Sequence, residues 1–504
     1  MKRILSFVLC VLLVLGLFSA CGKGSEAAPA AFSVGFGQAD ITPTEKTTLA
    51  GYGNDSERVV TGVAGRIYTT CVAIRGEDGN TVLVFASDLL QARDDVGDPV
   101  KKLVSQETGV PVSNIMFHVS HSHSSPSGSL MYYQFVSEQA LAAAQEALAD
   151  LAPAQVYGAF ERIQEGINFV RHYLLTDGSY IGEGAGTISK DRLYGHDTAP
   201  DRLLQVVKFT RENKKDILLV NFQGHPSSPD DKTILSSSYA GVIRETVSQS
   251  LDCNTMFVFG ASGNLNLSSK IPGEQVADGY TKGGKFLADK VIGLKDSFTP
   301  LNSGSVQIME VKEPCKWLTN MTQTVDVPLY ALTFGDVAWI FGPHEMFDTN
   351  AMAVRDASPF TMTLVASCSN GYHTYIPTPH SFDFFAYEAG KTKYFPGTAE
   401  QLQDRYIEML NTLSQQYTLS AKDPNYNTPE FVPFSDGVEY IVPTPGDLTA
   451  CTAVENGYYS FFLLNGSDVK TFLAKDQATA ELVLQQTTVK LLFNESNVVV
   501  GIDN

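Results

Sequence analysis

Four short, dominantly apolar runs constrain this chain more than any other feature. Ile115–Val119, Ile217–Val220, Val337–Phe341 and Met362–Ala366 each give way abruptly to polar residues. A strand wetted on one face alternates apolar with polar positions, whereas runs apolar at both parities suit strands covered on both faces, as in an α/β sheet. Side chains just beyond the carboxyl ends of such strands share one rim of the sheet, where ligands usually bind. The runs lead to His121, to His225 through N-F-Q-G-H-P, to Glu345 through G-P-H-E, and to Tyr375 through S-C-S-N-G-Y. One rim is therefore expected to carry all four side chains.

The first run belongs to N-I-M-F-H-V-S-H-S-H-S-S-P-S-G, Asn114–Gly128. Extended residues at i and i+2 point the same way, so a strand end here would present His121 and His123 together. Two imidazoles so placed can share a metal ion or a reacting group; otherwise they are polar loop residues beside a buried strand.

The start of the chain sets its compartment. Lys2 and Arg3 precede an apolar run from Ile4 to Phe18 and then F-S-A-C, ending at Cys21. That is an export signal, too short to favour a spanning helix. The small residues before Cys21 resemble the lipobox of bacterial lipoproteins, which implies lipidation of Cys21 and an extracytoplasmic protein anchored to the cell membrane. Simple secretion with cleavage nearby is the alternative. A net charge of −19 argues against a nucleic-acid partner and against docking on anionic lipid by charge alone. Past Cys21 the cysteines are Cys71, Cys253, Cys315, Cys368 and Cys451, an odd, widely spaced set without C-x-x-C. Neither a disulfide framework nor a thiolate zinc site is indicated.

The expected organisation is a signal peptide over 1–20, a lipidated tether over 21–31, an α/β body with a mixed sheet over 32–421, a linker or wrapping arm over 422–445 and a small β unit over 446–504. Helical spacing covers Asp95–Thr108, Ser137–Asp150 and Ala399–Tyr417, and Cys71–Ile74 with Thr81–Ala86 reads as a hairpin. Asp88, just past that hairpin, suits either the rim or a helix N-cap. The loop-rich stretch from Phe160 to Pro200 reads as a site wall, with Arg171 and His172 its most reactive members. Tyr375 and Tyr387 lie in an aromatic segment and also suit a core, and Glu345 near Asp348 also suits a helix cap.

Taken in order, G-Q-A-D-I-T-P, A-G-Y, S-D, S-H-S-H-S-S-P, N-F-V-R, L-V-N-F-Q-G-H-P, G-A-S-G-N-L-N, G-P-H-E, and Y-I-P-T with a later Y-E are colinear from about Phe32 to Gly390. The ordered set resembles the amino-terminal domain of neutral/alkaline non-lysosomal ceramidases. The resemblance implies a zinc ion held by His121, His225, Glu345 and Tyr375. It gives His123 proton transfer, and gives Tyr387 and Arg171 hydrogen bonds to a developing oxyanion. Two departures stand out. A family G-D-x-S-P-N-like loop is replaced by Gly263-Asn264-Leu265-Asn266-Leu267, and Ser238 stands where a family segment has Asp. The implied function is zinc-dependent cleavage of the amide of an acylated amine, a ceramide-like lipid. The alternatives are the same metal site acting on a non-lipid amide or ester, and a non-catalytic ligand-binding lipoprotein.

Overall fold

The computed structural model describes residues 31–53, 55–184, 188–226, 232–271 and 273–503. The expected signal peptide, Cys21 and most of the tether lie outside these residues. Among them, no helix is long and apolar enough to cross a membrane.

The body is built on a nine-stranded sheet. Its main strands are β1 (Ser33–Asp40), β2 (Tyr68–Arg75), β3 (Thr81–Ser87), β4 (Ile115–Val119), β5 (Ala152–Arg162), β6 (Leu203–Arg211), β7 (Ile217–Phe222) and β8 (Asn254–Phe259). They run in the order β8-β7-β6-β5-β1-β2-β3-β4, with Thr299–Leu301 paired to β5. The expected hairpin is β2 and β3, antiparallel from Thr69↔Ser87 to Arg75↔Thr81. The parallel pairs lie at the two ends, β3 with β4 and β7 with β8. Parallel neighbours need a crossover, and α1 (Asp94–Thr108) supplies it for the first pair. Helix α2 (Leu130–Ala149) follows β4, and α3 (Ser238–Leu251) makes the β7–β8 crossover.

Helix α2 lies directly on β1 because the strand offers no side chain there. A Cβ on Gly35 would come within 2.0 Å of the Ala147 carbonyl oxygen, and one on Gly37 within 2.1 Å of that of Ala143. The helix answers with Ala140, Ala143, Ala144 and Ala147, all fully buried. With α1, α3 and α4 (Gly279–Gly293) it covers this face of the sheet.

The other face meets a second sheet of β9 (Val306–Trp317), β10 (Asn320–Phe334), β11 (Val337–Phe341) and β12 (Met362–Ala366). Val72, Val84, Phe209 and Leu219 of the first sheet pack with Phe334, Trp339 and Leu364 of the second in one apolar layer. Helices α5 (Asp348–Ala357) and α6 (Thr398–Ser414) cover the outer face. The result is four layers, helix, sheet, sheet, helix.

The single rim expected from the apolar runs is thus corrected. β4 and β7 belong to one sheet, and β11 and β12 to the other. These strands are apolar on both faces because each lies between helices and the opposing sheet. The first sheet also coils until its two ends approach. His118 on β4 accepts a hydrogen bond at Nε2 from the Phe259 amide on β8, at 2.9 Å. The loops after β4 and β7, at the sheet's two ends, consequently open onto the same space.

The stretch expected as a linker or arm crosses the body and buries Tyr426, whose hydroxyl takes a 2.7 Å hydrogen bond from the Thr363 amide. The terminal unit is a six-stranded sheet that starts earlier than expected, at Glu439–Ile441, and carries a helix, Gln477–Leu484. Glu439–Ile441 was obscured in the sequence because it is three residues long, between turn-rich segments.

Candidate metal centre

β4 ends at Val119, and the chain turns before the histidines. His121 has a left-handed backbone, φ 59°. Strand alternation therefore does not bring His121 and His123 together, as expected from their spacing; a turn does. A bulky residue held at positive φ persists only where its surroundings hold it, and such residues concentrate at functional sites. Here Nδ1 of His121 lies 2.7 Å from the Leu90 carbonyl oxygen, and Nδ1 of His123 lies 2.9 Å from that of Gly51. A carbonyl can only accept, so each Nδ1 carries a proton, and in the neutral ring Nε2 is the atom with the lone pair.

Those lone pairs converge. The Nε2 atoms of His121 and His123 are 3.4 Å apart, and those of His123 and His225 are 2.8 Å apart. Glu345, four residues beyond β11, places Oε2 3.4 Å from His121 Nε2. Its Oε1 accepts a 2.6 Å hydrogen bond from the Tyr372 hydroxyl, while the buried Oε2 receives none. Two ligands at about 2.0–2.1 Å from a tetrahedral ion are separated by roughly 3.3 Å, close to the His121–His123 and His121–Glu345 spacings. A divalent ion among these atoms would take the place of the protons that the 2.8 Å His123–His225 contact and the His121–Glu345 pair otherwise hold. The orphaned Oε2 and the tautomers fixed by Leu90 and Gly51 suit a bound divalent ion.

Burial holds His123 down at about 3, with the neighbouring His121 adding to it. Burial likewise depresses His225, helped by His123 and Arg171. Glu345 would be raised by burial, but His121 and then Tyr372 reverse that and bring it below its ordinary value. Burial would lower His121, but Cys368 and then Glu345 reverse that and hold it well above its ordinary value, so a metal ion would have to displace a proton from it, while His123 and His225 are already neutral and Glu345 ionised.

The other expected site residues form a layer on the Glu345 side. Tyr375 pairs backbone to backbone with Glu345 in a two-stranded parallel ladder. Its hydroxyl is hydrogen-bonded to Arg171, and burial, then Glu345, pushes the phenol well above its usual range. The Arg171 guanidinium lies 5.6 Å from the Tyr375 ring and 5.7 Å from the Tyr387 ring. Tyr387 is 41% exposed and Tyr375 buried, so of the two Tyr387 is the one open to solvent. The structure thus gathers His121, His123, His225 and Glu345 at one point and stacks Arg171, Tyr375 and Tyr387 beside it. Asp88, directly after β3 and two residues before Leu90, is not a helix cap. It forms a buried ion pair with Arg244 at 2.8 Å.

Residues missed from the sequence are those that hold these groups. The carbonyls of Leu90 and Gly51 are backbone atoms and leave no sequence signal. Tyr372 lay within the S-C-S-N-G-Y segment, and Glu388 within the Y-E fragment, without a role assigned to either. The departures are built in. Asn264 donates to Asp348 Oδ1 at 2.7 Å and accepts from the Asp348 amide at 3.0 Å, while its carbonyl takes the Arg171 amide at 2.9 Å. Asn266 donates to Glu183. Ser238 is buried at the start of α3 with φ 57°.

Fold and site define a two-sheet α/β protein with a buried imidazole and carboxylate cluster able to hold a metal ion. Residues 32–257 match the sequence profile of neutral/alkaline non-lysosomal ceramidase, N-terminal. The resemblance read from short fragments therefore holds across that stretch, and it supports a hydrolase acting on amides. Among solved structures, a ceramidase complexed with C2 and the neutral ceramidase from Pseudomonas aeruginosa share the fold. For each the TM-score is 0.62 at 14% sequence identity, covering 88% of this chain and 92% of the other. No curated protein matches in sequence.

Proposed function

We propose that the protein is a zinc-dependent hydrolase that cleaves the amide of an acylated amine, a ceramide-like lipid. The observation that carries this reading is the convergence of three imidazole nitrogens with the unpartnered Oε2 of Glu345. His121, His225 and Glu345 would hold the ion, with the Tyr375 phenol as a weaker fourth ligand. When bound, zinc supplies Lewis acidity and makes water available for attack near neutral pH. His123, the least buried of the three histidines, passes the proton from the attacking water to the departing amine. Arg171 and Tyr387 donate hydrogen bonds to the oxygen that gains charge as the carbonyl is attacked. Anchoring through Cys21 would keep this site beside a membrane that contains such lipids.

Metal analysis of the purified protein, with turnover measured on a panel of acyl amides and esters, tests this. One bound divalent ion per chain and hydrolysis of a long-chain N-acyl amine are expected. His225→Ala should lose both metal and activity, whereas His123→Ala should keep the metal and lose about 10²–10⁴ in rate. A metal-free, fully folded protein would overturn the reading. The Glu183 carboxylate beside Asn266 favours a second reading, a more polar amide or ester, and the same panel separates the two. Replacement of Cys21 should release the protein from the membrane fraction if it carries the anchor.

A further inference from the structure

Glu388 is fully buried and grips two consecutive residues of the wall segment, one with each oxygen. Its Oε1 accepts from Arg171 Nε at 2.5 Å, and its Oε2 accepts from His172 Nε2 at 2.9 Å. It follows Tyr387 directly, in the short helix Tyr387–Lys391. One carboxylate therefore ties Arg171 to the segment that carries Tyr387. A second acceptor, the Gly263 carbonyl, takes a 2.6 Å hydrogen bond from Nη2 of Arg171. The guanidinium is thereby fixed at two corners and held against Tyr375. It keeps further N–H groups on that side, because an arginine has five donors in a rigid fork. A planar group fixed at two corners does not have to be ordered again when charge appears on a reacting oxygen, which is how preorganised donors gain their effect.

Resting on the hydrolase reading above, we infer that Glu388 is a positioning residue that acts on the reaction only through Arg171, by aiming its guanidinium at the space beside Tyr375 and Glu345. Two linked measurements on the metal-loaded full chain test it. The first is a double-mutant cycle of Glu388→Gln and Arg171→Ala, read as kcat and KM on a long-chain N-acyl amine. Glu388→Gln should lower kcat at least tenfold, with metal content unchanged and KM within about threefold. In the Arg171→Ala background the same change should have less than about a twofold effect, since there is no longer a guanidinium to aim.

The second measurement reads the same cycle as the affinity for octylphosphonate by calorimetry. This tetrahedral anion needs the guanidinium but no turnover, so an inactive wild type would overturn the hydrolase reading and still leave the aiming of Arg171 decided. Glu388→Gln should weaken that binding at least fivefold, and only when Arg171 is present. Equal effects of Glu388→Gln in both backgrounds, or no effect in either, would overturn the inference. If Glu388→Gln does not accumulate as a folded protein, His172→Asn disturbs the other side of the carboxylate. The same non-additivity with Arg171→Ala is then required.

Discussion

Two of the buried arginine–carboxylate pairs of this molecule are put to different uses. Arg355, on α5, points both terminal nitrogens at Asp201, at 2.7 and 3.1 Å, and both residues are 1% exposed. Arg171 gives its carboxylate only Nε, gives one terminal nitrogen to a backbone carbonyl, and faces two tyrosine rings with the rest. The first pair ties the start of β6 to a helix on the outer face of the second sheet, with Arg162 3.8 Å from the same carboxylate, so it serves the fold. The second leaves donors pointing into the space beside the histidines, so it also serves the site. Where the remaining donors lie, beside the site or in the core, separates the two roles, since burial and charge are alike in both.

The comparison breaks most visibly at the first pair. Asp201→Ala leaves the Arg355 guanidinium buried without a counter-charge, and such a loss costs about 3–5 kcal/mol. The denaturation midpoint should fall sharply, while kcat per folded molecule should change by less than the loss seen at Arg171. Next in size is Arg171→Ala. Losing one preorganised donor commonly costs about 10²–10³ in kcat, roughly 2.7–4 kcal/mol of barrier. Metal stoichiometry should stay unchanged, because Arg171 touches the layer beside the ligands and not the converging nitrogens. If Asp201→Ala proved the more damaging of the two to kcat, the division of roles would be wrong.

The sequence carries part of this arrangement and conceals the rest for physical reasons. Apolar runs such as Val337–Phe341 mark strands covered on both faces, because burial acts on every side chain of the run. Those runs do not say which sheet a strand joins, since a helix layer and an opposing sheet exclude water equally well. The coiling that brings β4 to β8 is sealed by apolar packing and by a hydrogen bond from the Phe259 amide to His118, contacts between distant strands that no local pattern of residue types encodes. The ligand candidates were legible because imidazole and carboxylate side chains are rare at strand ends. The groups that orient them were not, because Leu90 and Gly51 act through carbonyl oxygens that every residue has. His121 illustrates the limit, since its position two residues from His123 was plain in the sequence and its left-handed backbone was not.

A third test sharpens the comparison through pH. Burial alone would raise Glu388, but Arg171 and then His172 overcome it and hold the carboxyl down at about 2, from an ordinary 4.5. A carboxyl depressed in the folded state contributes stability that is present above about pH 4.5 and lost as pH falls through about 2. The shift corresponds to about 3 kcal/mol at neutral pH, to order of magnitude. Chemical denaturation followed from pH 5 to pH 2 should show wild-type stability converging on that of Glu388→Gln, with the gap widest at the upper end. A gap that does not change with pH would mean that Glu388 contributes shape and not charge.

The smallest expected effect comes from adding a single methyl group. Gly51 has φ 108°, in the region that favours glycine, and a Cβ there would lie 2.7 Å from Nδ1 of His123. Gly51→Ala should therefore cost about 1–2 kcal/mol in backbone strain. It also forces the His123 ring away from the carbonyl that fixes its tautomer. Outer partners of metal-site histidines typically account for about 10–100-fold in activity or metal affinity. Under the assignment of His123 to proton transfer, that loss should appear in kcat, with metal affinity close to wild type. Loss of the metal instead would make His123 a third nitrogen ligand and move proton transfer to another group. Gly51→Ala acts on the His123 ring and Glu388→Gln on the Arg171 guanidinium, so the two changes should multiply in their effects on kcat.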